Sequence, residues 1–319
     1  MKTVRRLILP FALLLILAVS SVVHSQNPVS PGYFSGDEAL ARIAEHLEFG
    51  PRITGSAESI HAGDAILEYL ENLGWETTED WHTLEFEDVP LLVPARNLVA
   101  SYGSGPTVII GGHYDTRVYT DQDPDPERRK ERATGANDGG STVGVLMEMA
   151  RVISENYLPN NEIRLIFFDA EDNPNIPPWR ISMGADLYAD NLNLEEENIR
   201  YGIIVDMVGD QNQIVPIEGY SLNAAPELTK AIWTLADELG YDEQFNPDGN
   251  TDFVARYSIT DDHLPFIRVG IPAVLLIDFD YPYWHTTQDT IDKLSAESLE
   301  RVGRLIEAFL EKDGAITRK

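Results

Sequence analysis

The sequence predicts a three-layer α/β domain with a largely parallel sheet at its centre. Short apolar runs without polar alternation recur along the chain, and segments with helical apolar spacing separate them. Runs apolar on both faces suit strands buried between layers, and helices between them supply the crossovers that parallel pairing needs.

From Ser56 to Leu73, Ile60, Leu67, Leu70 and Leu73 recur at helical spacing and Gly74 offers a stop, which predicts an amphipathic helix. Val108 to Ile110, Leu165 to Phe168, Ile203 to Val205 and Ala273 to Ile277 are too brief for helices and read as buried strands. Helical patterns cover Thr142 to Glu155, about Pro226 to Leu239, and Ala296 to Leu310 with Leu299, Val302, Ile306 and Phe309 inward. At 319 residues and 43% hydrophobic content the chain can bury a proper core. No repeat or second-domain boundary is visible, so one domain is expected over 37–312, with a tail at 313–319.

The first residues follow a different pattern. Lys2, Arg5 and Arg6 precede an apolar stretch from Leu7 to Val23, with small residues around Ser25. This predicts an export signal over 1–25 cleaved after Ser25, an uncleaved anchor being the alternative, and places the protein in the periplasm or outside the cell. A Pro-, Ser- and Gly-rich linker is expected over 26–36. The chain has no cysteine, so the exported fold must rely on its core, and any metal must sit on His and carboxylates. With 53 acidic against 24 basic side chains, the net charge of −29 argues against nucleic acid or anionic lipid as a partner.

Polar residues fall just past the predicted strands: His113 and Asp115 after the first, Glu171 and Asp172 after the second, Asp206 after the third, His285 beyond the fourth. Ligands of open α/β sheets bind outside the carboxyl ends of the strands, so these distant residues can converge there. Asp138 joins them from the turn Gly135-Ala136-Asn137-Asp138-Gly139-Gly140. Two imidazoles with several carboxylates suit zinc. One carboxylate after a strand is more often a cap than a ligand. The adjacent acids Glu171 and Asp172 after a buried run are costly, however, unless a metal or a proton neutralises them. The Gly-rich turn lacks the spacing of a phosphate loop, Asp121 to Pro126 lacks that of a calcium loop, and there is no Gly-x-Ser-x-Gly elbow.

These residues lie in a series of ordered motifs. The series runs Phe49-Gly50-Pro51-Arg52, Gly112-His113-Tyr114-Asp115, Gly135-Ala136-Asn137-Asp138, Phe167 to Asp172, and Val205-Asp206-Met207. It continues through Asp261-Asp262-His263-Leu264-Pro265-Phe266, Gly270-Ile271-Pro272-Ala273, and Trp284-His285-Thr286 with Asp289-Thr290. Through most of its length the chain thereby resembles the zinc exopeptidase superfamily of bacterial aminopeptidases and glutaminyl-peptide cyclotransferases. The resemblance implies an α/β/α sandwich with a mixed, centrally parallel sheet, and peptide or protein amino termini as substrate. It implies metal ligation by Asp138, Asp172 and His285, with His113 and Asp206 available for a second ion, so one or two Zn2+. Glu171 falls at the family's proton-transferring carboxylate, and Asp115 at a position that orients His113.

Within the superfamily the sequence leans to the cyclotransferases, which turn an N-terminal Gln into pyroglutamate. Trp284 before His285 and Trp179 after Glu171-Asp172 resemble that branch's pocket tryptophans. Asp261, first of the doubled acids, matches a member of its active-site hydrogen-bond network, in which Asp206 would also take part. Against it, Asp172 stands where the cyclases usually carry Glu, and Gln288-Asp289-Thr290 also occurs among the peptidases. A metallo-aminopeptidase is therefore the alternative. A third reading, a binding ectodomain that has lost catalysis, fits less well because every expected position is filled.

Overall fold

The computed structural model describes residues 31–86 and 89–319. The expected signal over 1–25, and residues 26–30 of the expected linker, lie outside the described residues. A six-stranded sheet is built from β1 (Glu76–Phe86), β2 (Val89–Tyr102), β3 (Thr107–His113), β5 (Glu162–Phe168), β6 (Ile199–Asp206) and β7 (Ala273–Ile277), in the order β1-β2-β5-β3-β6-β7. β4 (Tyr157–Pro159) pairs separately with β8 (Ile316–Arg318). β5, β3, β6 and β7 run parallel, and β2 and β1 add antiparallel strands at one edge. The mixed, centrally parallel sheet matches the expected class.

Alternation along the parallel strands makes the layers. Val108 and Ile110, Leu165 and Phe167, Ile203 and Val205, and Val274 and Leu276 face one core. That core is completed by α1 (Gly36–Leu47), α2 (Ala57–Asn72), α3 (Gly140–Asn156), α6 (Pro226–Glu238) and α9 (Ala296–Lys312). Ile109, Ile166, Phe168, Ile204 and Leu275 face the other, with α4 (Met183–Asn191) and α8 (His263–Arg268). Both faces are dry, so the middle stretches of these strands are apolar on both sides. Two of the expected helices are capped by side chains: Ser56 Oγ accepts from Ser59 N and Ser295 Oγ from Ser298 N. Short α5 (Gly219–Ala224) and α7 (Asp242–Phe245) complete the α-helices of the described residues.

The structure differs from the expected boundaries at both ends. The end of the linker is already packed, because Phe34 is buried against α9, and Glu307 accepts from the backbone N–H of Tyr33 and Phe34 at 2.7 and 3.2 Å. The tail at 313–319 holds β8, whose Ile316 is buried, so the folded body reaches the last residues. The β1–β2 hairpin carries no clear strand signature, because β1 is an edge strand largely exposed along its length and β2 contains Pro90 and Pro94.

Candidate active site

The parallel strands deliver their carboxyl ends to one crevice. His113 is the last residue of β3 and Asp206 the last of β6, while Glu171 and Asp172 follow β5. After β5 and β6 the backbone turns sharply into the left-handed region, with Ala170 at φ 60° and Met207 at φ 50°, and His285 itself sits at φ 56°. Such backbone costs about 1–3 kcal/mol per non-glycine residue and persists only where the surroundings enforce it, which is common at functional sites. Here it turns the next side chain, or its own, from the sheet into the crevice.

Asp138 comes from the Gly-rich turn before α3. Gly139, at φ 79°, has no room for a side chain: a Cβ would lie 2.7 Å from Asp115 O and 3.1 Å from His113 Cε1. The turn is tied down from three sides. Asp289 accepts from the backbone N–H of Asn137 and Asp138 at 2.8 and 3.2 Å, and from the Tyr281 hydroxyl. Asn137 bridges to the exit of β6, donating to Met207 O and accepting from Gly209 N. Buried Arg52 donates to Thr134 O and Gly135 O at 2.5 and 2.7 Å.

Two groups of ligand-capable side chains result, His113–Asp138–Asp206 and Asp138–Asp172–His285, each with its donor atoms within 4.8 Å of one another. His113 Nε2 lies 3.3 Å from Asp138 Oδ1 and 3.1 Å from Asp206 Oδ1. His285 Nε2 lies 2.8 Å from Asp172 Oδ1 and 3.6 Å from Asp138 Oδ2. Ligand atoms around a tetrahedral ion bound at about 2.0–2.1 Å sit roughly 3.3 Å apart, so both groups have the spacing of a zinc shell. Asp138 belongs to both.

The electrostatics also call for a cation. Burial, and then the Asp138 charge, push the Asp172 carboxyl up to about 6. Burial drives Glu171 well above the usual carboxylate range; His113 opposes this, whereas Asp261 and Asp172 add to it. Asp261 is driven the same way by burial and by the charges of Asp206 and Asp262. Burial would lower His113, but Asp206 and hydrogen bonds to its carboxylate neighbours hold it well above its ordinary value. Two imidazoles do not balance so many buried acids, and a divalent ion would.

Asp115 takes a wider part than orienting one ring. Its Oδ1 is 3.5 Å from His113 Nδ1 and accepts from Glu171 N at 3.1 Å, while Oδ2 accepts from Asp172 N at 3.4 Å. One buried carboxylate thus aligns two strand exits. Trp284 lines a cavity of about 300 Å3 together with Glu171, Asp206, Asp261 and Phe279, its indole centroid 4.0 Å from that of His285. Trp179 is not part of that wall. It packs on Phe86 at 5.2 Å in a small cluster with Leu84 and Met183, because its loop folds back onto the β1–β2 hairpin.

The motif reading assigned no role to Asp289, Arg52 or Arg117, although two of them stand inside the motifs. Arg117 donates to Asp172 O at 2.8 Å and pairs with Asp121. Glu218 lies in none of the motifs; its one signal in the sequence is that it ends the apolar run Ile214-Val215-Pro216-Ile217. Fully buried, it accepts from Tyr220 N, Ser221 N and Ile259 N and lies 3.2 Å from His263 Nε2, fastening Ile259 of the cavity wall. Burial alone would raise its carboxyl, but His263 and the N–H groups of Ser221 and Tyr220 outweigh this and hold it at about 2. A carboxyl depressed on folding stabilises above its usual 4.5, and that contribution fades as pH falls toward 2. Glu218→Gln is expected to flatten the acid limb of the unfolding midpoint over this window; an unaltered limb would refute the pairing.

A mixed sheet with two buried groups of His and carboxylates in the crevice past its strands is the frame of an α/β metalloenzyme. The chain belongs to Peptidase family M28, whose model matches residues 97–310. It is 24% identical over 235 residues to the glutaminyl-peptide cyclotransferase of Boiga dendrophila, an alignment covering 64% of this chain and 61% of that protein. The solved structure of Porphyromonas gingivalis glutaminyl cyclase superposes with a TM-score of 0.81 at 30% identity, covering 89% of this chain and all of that one. A leucine aminopeptidase precursor from Bacteroides thetaiotaomicron superposes with a TM-score of 0.80 at 32% identity, covering 88% and 98%. Its relatives and structural neighbours thus include glutaminyl cyclases and aminopeptidases, and the match spans 61% of the length of the curated cyclotransferase. Among the described residues no helix is long and apolar enough to cross a membrane.

Proposed function

We propose that the protein is an exported, zinc-dependent glutaminyl cyclase-like enzyme that converts the N-terminal Gln of peptides to pyroglutamate with release of ammonia. The observation that carries this reading is the meeting of Glu171, Asp261 and Trp284 at one small cavity beside His285. Asp138, Asp172 and His285 would hold the ion, which when bound supplies Lewis-acid polarisation of the substrate's γ-carboxamide. Glu171, which burial makes ready to keep a proton, accepts one from the α-amine and passes it to the leaving nitrogen. The α-nitrogen bonds to the γ-carboxamide carbon, the carbon–nitrogen bond to the amide breaks, and ammonia departs. Asp261, beside the charge of Asp206, faces the same cavity and positions the amine. Trp284 and Phe279 wall off water, so the internal nucleophile is favoured by orientation.

The second group, His113–Asp138–Asp206, favours a metallo-aminopeptidase as the second reading, since it offers a shell for another ion. Glu171 would then take the proton of a water and hand it to the released amine. Purified zinc-loaded protein offered Gln-initiated and Leu-initiated peptides separates the two. Pyroglutamate and ammonia without free Leu are expected; free Leu without pyroglutamate would replace the first reading by the second.

A further inference from the structure

We infer that a groove beside the active-site cavity receives the residues that follow the substrate's first one, and that it favours acidic side chains there. The inference rests on the reading that the cavity takes a peptide amino terminus. At about 300 Å3 the cavity is at the small end for a ligand site, so a longer peptide must leave it. A groove of about 530 Å3 adjoins it and shares Ile181, Thr260 and Asp261 as common wall. A peptide whose α-amine lies near Glu171 and Asp261 therefore finds its exit past Asp261.

The groove has an apolar side, from Leu264 and Pro265 on α8, and two guanidinium groups, Arg180 and Arg268. Arg268 is already matched, donating to Asp186 at 2.5 Å and Asp190 at 2.8 Å. Arg180 is not: its contact is a 3.5 Å approach to the same Asp186, and its side chain is 68% exposed. Arg268 takes Asp186 Oδ1, and Arg180 meets Oδ2 through one nitrogen at 3.5 Å only, so the rest of the Arg180 fork is available to an incoming carboxylate. The whole-chain charge of −29 would by itself favour basic peptides, so a preference for acidic ones has to come from a local group of this kind.

The test reads binding on zinc-loaded Glu171→Gln protein, using C-terminally labelled Gln-Gly-Glu-Glu and Gln-Gly-Lys-Lys and fluorescence anisotropy. The acidic peptide is expected to bind about fivefold more tightly, a difference that high salt removes, as for an exposed ion pair. Arg180→Glu should reverse the order and Arg180→Ala abolish the difference, whereas Lys230→Glu, the same charge change on α6, should leave it intact. Equal or tighter binding of the lysine peptide before Arg180 is changed, or an equal shift with Lys230→Glu, overturns the inference. Because binding is read, failure of the unsubstituted enzyme to form pyroglutamate would remove the cyclase reading and leave this result standing.

Discussion

Glu171→Gln is expected to lower turnover by about a thousandfold, within the range a single acid–base group contributes, while zinc content stays at the unsubstituted level. The side chain keeps its size and loses the capacity to carry a proton. Glu171 belongs to neither ligand-capable group, although Asp172 beside it does, so the two readouts should separate. Its backbone N–H is held by Asp115 Oδ1, which fixes the residue whichever side chain it carries. Loss of metal from Glu171→Gln would mark the residue as a ligand and take the proton-transfer role from it.

Asp138→Ala is expected to have the largest effect on the metal. Asp138 is the one residue common to both groups, with one oxygen toward His113 and the other toward His285. Its removal should take zinc content per chain close to zero and activity with it, whereas His113→Ala should lose at most the ion of its own group. Elemental analysis of the two variants beside the unsubstituted protein counts the sites. Full zinc in Asp138→Ala would show that the ion lies elsewhere. A sheet that still melts cooperatively would show that the loss is local, since the turn is also held by Arg52 and Asn137.

Much of the site was legible because four of its residues end or closely follow a parallel strand, where polarity breaks an apolar run. His113, Glu171, Asp172 and Asp206 stand out for that reason, and motif spacing added Asp138 and His285. Trp179 lies beyond what local sequence could place. A position in sequence near a site says nothing of which way a loop folds, and this loop turned the indole onto Phe86. Glu218 shows the opposite case. A lone Glu outside the ordered motifs looks like solvated surface, yet the fold buries it and surrounds it with donors.

The amino-acid sequence alone determined the central strands, the helices α2, α3, α6 and α9 and the identity of the donor side chains, since these follow from local periodicity and residue chemistry. Tertiary structure decided the rest. The edge hairpin, the pairing of β8 with β4, the sharing of Asp138 between two groups and the groove running past Asp261 depend on contacts between residues far apart in the chain. Such contacts leave no periodic trace, because each is made by one side chain against partners that folding alone brings near.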